Sequence, residues 1–248
     1  ISIKISQNVN IIEGGLSINN NKYLLNSTFI KNEEDLWLTK LNINNNDIEI
    51  GANINIAYLK DFPSLEGQLD VTYKNIKNLF SNNEFKYLNL FEDKTNFTGG
   101  FSLSFNNNDL FYSLFNIDAN IGDLSFTGAL SGNNGEEPKI ELAVSSNNVD
   151  LDSFIQQVDE INKNYKSDIS KNVDNNEYWD KYSGKFVFSI GTSKLLDYPI
   201  RNLSIEINKA QKDYYLNTGK ATFPGNTNIT FEGLFKNKFS IFEGGGSL

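Results

Sequence analysis

Cysteine, histidine and methionine are absent from this 248-residue chain, and proline occurs only four times. Without cysteine there is no disulfide, no thiolate nucleophile and no cysteine-based zinc site, so packing has to hold the fold. The lack of histidine removes the usual general base and the commonest neutral metal ligand, which excludes Ser-His-Asp and Cys-His catalysis. Basic residues are outnumbered, 22 against 31 acidic, for a net charge of -9. They are also scattered, so nucleic acid is not an expected partner. No apolar run approaches the roughly 18 residues of a membrane span. Ile1 is not an initiator, and the chain reads as an excerpt of a longer protein whose signal or anchor segments lie outside it.

What the chain does have is alternation. Successive strand side chains point to opposite faces of a sheet, so period-two patterning marks half-buried strands. Ile48, Ile50, Ala52, Ile54 and Ile56 alternate with Glu49, Gly51, Asn53 and Asn55. The same pattern recurs from Leu65 to Tyr73, Phe97 to Phe105, Leu124 to Leu130, Phe186 to Ile190 and Ile229 to Phe235. The chain is predicted to form on the order of fifteen strands. Asn19–Asn21, Asn44–Asn46 and Asn106–Asn108 fall between alternating segments, where asparagine tolerates left-handed backbone and caps turns. With short polar connections and no long helical pattern between strands, parallel βαβ winding is disfavoured. The predicted fold is all-β and mainly antiparallel, a curved, extended and repeat-containing sheet; a β-sandwich or β-roll that buries its own apolar faces is the alternative.

Residues 149–182 break the pattern. Leu151, Phe154, Ile155 and Val158 lie at helical spacing behind Asp150, a plausible N-cap, so a short helix near 150–165 inside a helix or loop insertion is expected. A repeat is also visible. Pro63 and Pro138 lie 138 - 63 = 75 positions apart, and Leu65 and Ile140, Leu79 and Phe154, and Phe80 and Ile155 share that offset. Approximate units of 41–80, 117–155 and 203–235 follow, within a single elongated domain over 1–248. A recurring kernel puts glycine two residues after an apolar side chain, as in Phe97-Thr98-Gly99, Phe126-Thr127-Gly128 and Phe231-Glu232-Gly233. Such glycines permit a bulge, a bend or a close approach on the apolar face.

Chemical sites find little support. Asp150 and Asp152 form a carboxylate pair with no partner base, and capping a helix accounts for them. Asp174-Asn175-Asn176-Glu177 lacks the spacing and glycine of a calcium loop. Gly99-Gly100 and Gly244–Gly246 lack the Lys-Ser/Thr continuation of a phosphate cradle. No catalytic residue, metal or cofactor is expected.

Three segments resemble AsmA-like proteins. Lys139 to Ile155 carries a strand, a polar step and the Asp150-Leu151-Asp152 helix start, and Leu65 to Phe80 is similar to an earlier copy of that unit. Thr222-Phe223-Pro224-Gly225-Asn226-Thr227, followed by a strand and Gly233, resembles that family's Leu-Pro-Gly-Gly-Thr segment, with Phe for Leu and Asn for the second Gly. The resemblance implies a periplasmic β-rich protein anchored in the inner membrane by a helix outside these residues. It also implies a role in outer-membrane homeostasis, with phospholipid or another acyl-chain lipid carried along an apolar groove and no catalytic motif. On that reading the candidate lipid-facing residues are Phe97, Phe101, Leu103 and Phe105, then Leu124, Phe126 and Leu130, then Ile229, Phe231 and Phe235, each of which could equally be ordinary core. Competing expectations are a surface adhesin built as a β-solenoid, with coils of about 20 to 30 residues, and a carbohydrate-binding β-sandwich using Trp37 and Trp179.

Overall fold

The computed structural model describes residues 2–5, 9–18, 21–33, 36–59, 62–74, 95–106, 109–121, 124–153, 155–156, 180–236 and 241–247. The chain divides into two compact units, Ile1–Asp123 and Leu124–Leu248. The first holds β1 (Ser2–Ile5), β2 (Val9–Ile18), β3 (Asn21–Glu33), β4 (Leu36–Asn44), β5 (Ile48–Leu59), β6 (Phe62–Tyr73), β7 (Thr95–Asn106) and β8 (Asp109–Ile121). The second holds β9 (Leu124–Asn133), β10 (Lys139–Asp150), β11 (Ser183–Leu195), β12 (Tyr198–Ala210), β13 (Asp213–Phe223), β14 (Thr227–Lys236) and β15 (Ile241–Ser247). Among the described residues helix is minimal: short helical pieces just after β10, a helical residue at 180 and a 3-10 turn at Pro224–Asn226.

Within each unit the strand order is the chain order, and each strand pairs with the next. The pairings are antiparallel with one exception among the described residues: β10 and β11 run parallel, with Leu142 opposite Phe186 and Val144 opposite Phe188. A parallel pair requires a crossover, and the segment between Asp150 and Ser183 is that crossover. The expected insertion therefore reverses the meander's polarity, which strand patterning alone does not reveal. Its helical stripe is described only at 151–153 and 155–156; Phe154 and the remainder of the expected helix lie outside the described residues, as do Leu79 and Phe80.

Substantial packing within each unit joins only strands adjacent in the sheet, so no second layer faces either apolar side among the described residues. The sandwich and roll alternatives are overturned for this reason. From β7 to β10 and from β11 to β15 strand plus turn occupies a nearly constant length, as the starts of β11, β12 and β13 at 183, 198 and 213 illustrate. The first unit of the repeat spans β5 and β6, its second β9 and β10, and its third most of β12 with β13 and β14.

Candidate functional site

In the first unit, cross-strand register builds one face from apolar rows. Leu25, Ile43, Ile50, Val71, Phe97 and Ala119 stand opposite one another from β3 to β8. A second row passes from Leu41 through Ala52 and Leu69 to Gly99. The next holds Phe29, Thr39, Ile54, Gly67, Phe101 and Leu114, and the last Trp37, Ile56, Leu65, Leu103 and Tyr112. Asn42, Asn53, Gln68 and Asp70 face the other way. That opposite face is not uniformly polar, since Leu24, Ile30 and Leu38 are exposed on it.

The second unit repeats the arrangement. Leu130, Leu142, Phe186, Ile207 and Leu216 form one row, and Val144, Phe188, Ile205, Gly219 and Phe231 the next. Near one end β10, β11 and β12 each break their alternation, with exposed pairs at Asn147-Asn148, Gly191-Thr192 and Arg201-Asn202. Asn202 takes a positive φ of 51° there, the backbone of a bulge. Beyond it Val149, Ser193 and Ile200 stand opposite one another and are buried, with Ser193 Oγ donating to the Val149 carbonyl at 2.7 Å.

The ten candidate residues therefore lie on these apolar faces: Phe97, Phe101, Leu103 and Phe105 in the first unit, and Leu124, Phe126, Leu130, Ile229, Phe231 and Phe235 in the second. None is buried. Phe105 is exposed and the other nine are half-buried. No large side chain of the described residues is fully buried, and the buried apolar set is confined to residues such as Ala52, Tyr73, Val149 and Ile200.

Among the described residues, Ser27 and Thr39 are small hydroxyl residues buried inside the first apolar face. Ser27 is buried and donates to the Lys40 carbonyl at 3.3 Å. Thr39, 6 % exposed, has a buried hydroxyl with no hydrogen-bond partner. At the margin of that face Tyr73 is buried. Burial pushes its hydroxyl up to about 12, and Tyr23 and Asp47 add to the shift.

Lys209 was not foreseen as a site residue, although it follows Ile205 and Ile207 in alternation. It is 2 % exposed and lies on the apolar side between Gly184 and Tyr214. Its Nζ donates to the carbonyls of Tyr182 and Gln211, each at 2.6 Å, and sits 5.9 Å from the Tyr214 ring centroid. The ammonium is thus a clip closing one end of the second face.

The acidic pair acts as structure. Asp150 accepts the backbone N–H of Ser153 at 3.1 Å, which holds its carboxyl below the usual range and caps the helical turn. Asp152 reaches a distant hairpin and accepts the N–H groups of Leu196 and Asp197 at 2.6 and 3.1 Å. Both of those residues have positive φ, 52° and 65°, so the carboxylate secures the left-handed turn between β11 and β12. Lys194 pairs with Asp197 at 2.6 Å in the same turn. Trp37 lies within an apolar row rather than on a separate sugar platform, while Trp179 and Asp174–Glu177 lie outside the described residues. Among the described residues no group of three or more acidic side chains is placed to hold a metal, and no helix is long and apolar enough to cross a membrane.

Fold and faces together define an all-β protein of meandering, mostly antiparallel sheet whose units each present one apolar side. No family model, curated protein or solved structure matches the chain.

Proposed function

We propose that the chain is a non-catalytic, lipid-handling segment of an AsmA-like envelope protein. It works in the periplasm, anchored to the inner membrane through residues outside this sequence, and serves outer-membrane homeostasis by holding or conducting phospholipid. The observation that carries this reading is the set of apolar rows running from strand to strand in each unit, with no second layer over them among the described residues. Acyl chains laid on such a row gain about 0.8 kcal/mol per buried methylene. Headgroups stay in water, and no bond is made or broken. The antiparallel hairpins also favour an extended sheet over the stacked coils of a solenoid adhesin.

Native mass spectrometry of the purified protein tests the reading. Adducts with the masses of phospholipids are expected, and they should be lost on substituting Phe101 and Leu103 together by Asn. A folded protein that carries no lipid, and takes none from mixed detergent and phospholipid micelles, contradicts it.

A further inference from the structure

The polar side of the second unit contains two neighbouring rows without a carboxylate. Ser145, Ser189, Ser204, Lys220, Thr230 and Ser247 stand in one, from β10 to β15. The other passes from Thr192 through Arg201 and Thr222 to Asn228. The adjoining rows return to acid, on one side at Glu206, which is already engaged with Lys185 at 3.2 Å, and on the other at Asp150, opposite Lys194 and capping Ser153. Arg201 is the only arginine of the chain. The bulge at Asn202 turns it onto this side, where it and Lys220 are both exposed and neither has an ion-pair partner among the described residues. Lys220 is the diagonal cross-strand neighbour of Arg201, a backbone separation of about 7–8 Å.

Two free cations this close, ringed by hydroxyls in a chain of net charge -9, form a local exception to the protein's charge. Their side chains suit one phosphate group held by charge-assisted hydrogen bonds. The rows supply one small polar side chain per strand, at the strand spacing of about 4.8 Å, which is near the length of one pyranose. Beyond Thr230 the surface dips into a shallow cavity of 370 Å³ whose lining includes Thr218, Thr230, Phe231, Glu232, Gly245 and Ser247. A side chain at Gly245 would meet nothing within 4 Å.

We propose that the polar face of the second unit binds a phosphate-bearing glycan, its phosphate on Arg201 and Lys220 and its sugars laid across the hydroxyl row towards the dip at Gly245. This site is on the side opposite the apolar rows and stands or falls independently of lipid binding.

The test is a glycan array carrying phosphorylated oligosaccharides, pentamannosyl phosphate among them, beside their phosphatase-treated counterparts, with titration calorimetry on the best ligand. Binding should require the phosphate and weaken with salt. It should fall at least about tenfold in Arg201→Ala and in Lys220→Ala, the loss of a charge-assisted contact. Lys185→Ala, which removes a cation already paired with Glu206, should bind as the parent does. Absence of any phosphorylated ligand, equal binding of the phosphatase-treated glycans, or undiminished binding by an Arg201→Ala/Lys220→Ala variant with unchanged thermal midpoint would each overturn the proposal. Lipid adducts in the mass spectrum of that double variant should persist in every case.

Discussion

Phe231 stands directly opposite Gly219 on the neighbouring strand, and a Cβ built on Gly219 would collide with the Phe231 ring. The missing side chain leaves room for the ring over bare backbone, covering what would otherwise be a gap in the apolar face. The register between β13 and β14 shifts just before this pair, between Leu216 and Gly219. Gly100 and Phe115 repeat the relationship on the opposite side of the first unit.

Gly219→Ala should therefore destabilise the protein by about 1–3 kcal/mol, the usual cost of overpacking. Most of that loss should vanish when the substitution is made in a Phe231→Leu background, because the two residues share one space. Urea denaturation of the four proteins in the cycle measures the coupling, and additive losses would show that the ring does not occupy the glycine's place.

Thr39 gives a prediction of opposite sign. Its hydroxyl is buried among apolar neighbours without a partner, and such a group carries its desolvation cost uncompensated. Thr39→Val keeps the shape and should raise stability by about 1 kcal/mol, seen as a higher urea midpoint with the same slope.

Asp152→Ala should free the hairpin between β11 and β12. Two backbone donors, Leu196 and Asp197, lose their acceptor, at a cost of about 1–2 kcal/mol given how close the turn lies to solvent. Hydrogen exchange at those two amides should accelerate well before exchange in the centre of β12 changes.

Stability should also respond to alkali through Tyr73. Its hydroxyl is raised to about 12 in the folded chain, against about 10 when unfolded. The raised folded value means its contribution is complete below pH 10 and is lost as pH climbs from 10 towards 12. Tyr73→Phe should remove that part of the alkaline loss, measured as urea midpoints across pH 9–12. An identical pH profile in both proteins would exclude the mechanism.

Much of this was legible in the sequence because side-chain period two is itself the geometry of a strand. The alternation from Ile48 to Ile56 and from Phe97 to Phe105 assigned each residue to the face it occupies. Asp150 reads correctly as a cap, since its partner Ser153 is three residues away. Asp152 does not, because its partners lie 44 and 45 residues along the chain. Strand direction is equally silent in the pattern: an alternating strand looks the same paired parallel or antiparallel, so the β10–β11 reversal appears only in the register. The breaks in alternation at Asn147-Asn148, Gly191-Thr192 and Arg201-Asn202, the last with a register shift against β13, were hidden for a related reason. Each shifts the alternation by one residue and moves Ile200 to the apolar side, while Arg201 goes to the polar one.

The central claim is that acyl chains lie on the apolar rows, and Trp37 reports on it because it stands between Lys31 and Ile56 in a row of the first unit. The measurement is its fluorescence in a Trp179→Phe variant titrated with phospholipid brominated along the acyl chain, beside the unbrominated lipid. Saturable quenching by the brominated lipid alone, abolished by Phe101→Asn/Leu103→Asn, is the predicted result. Fluorescence that stays unquenched at lipid concentrations that saturate binding would contradict the account.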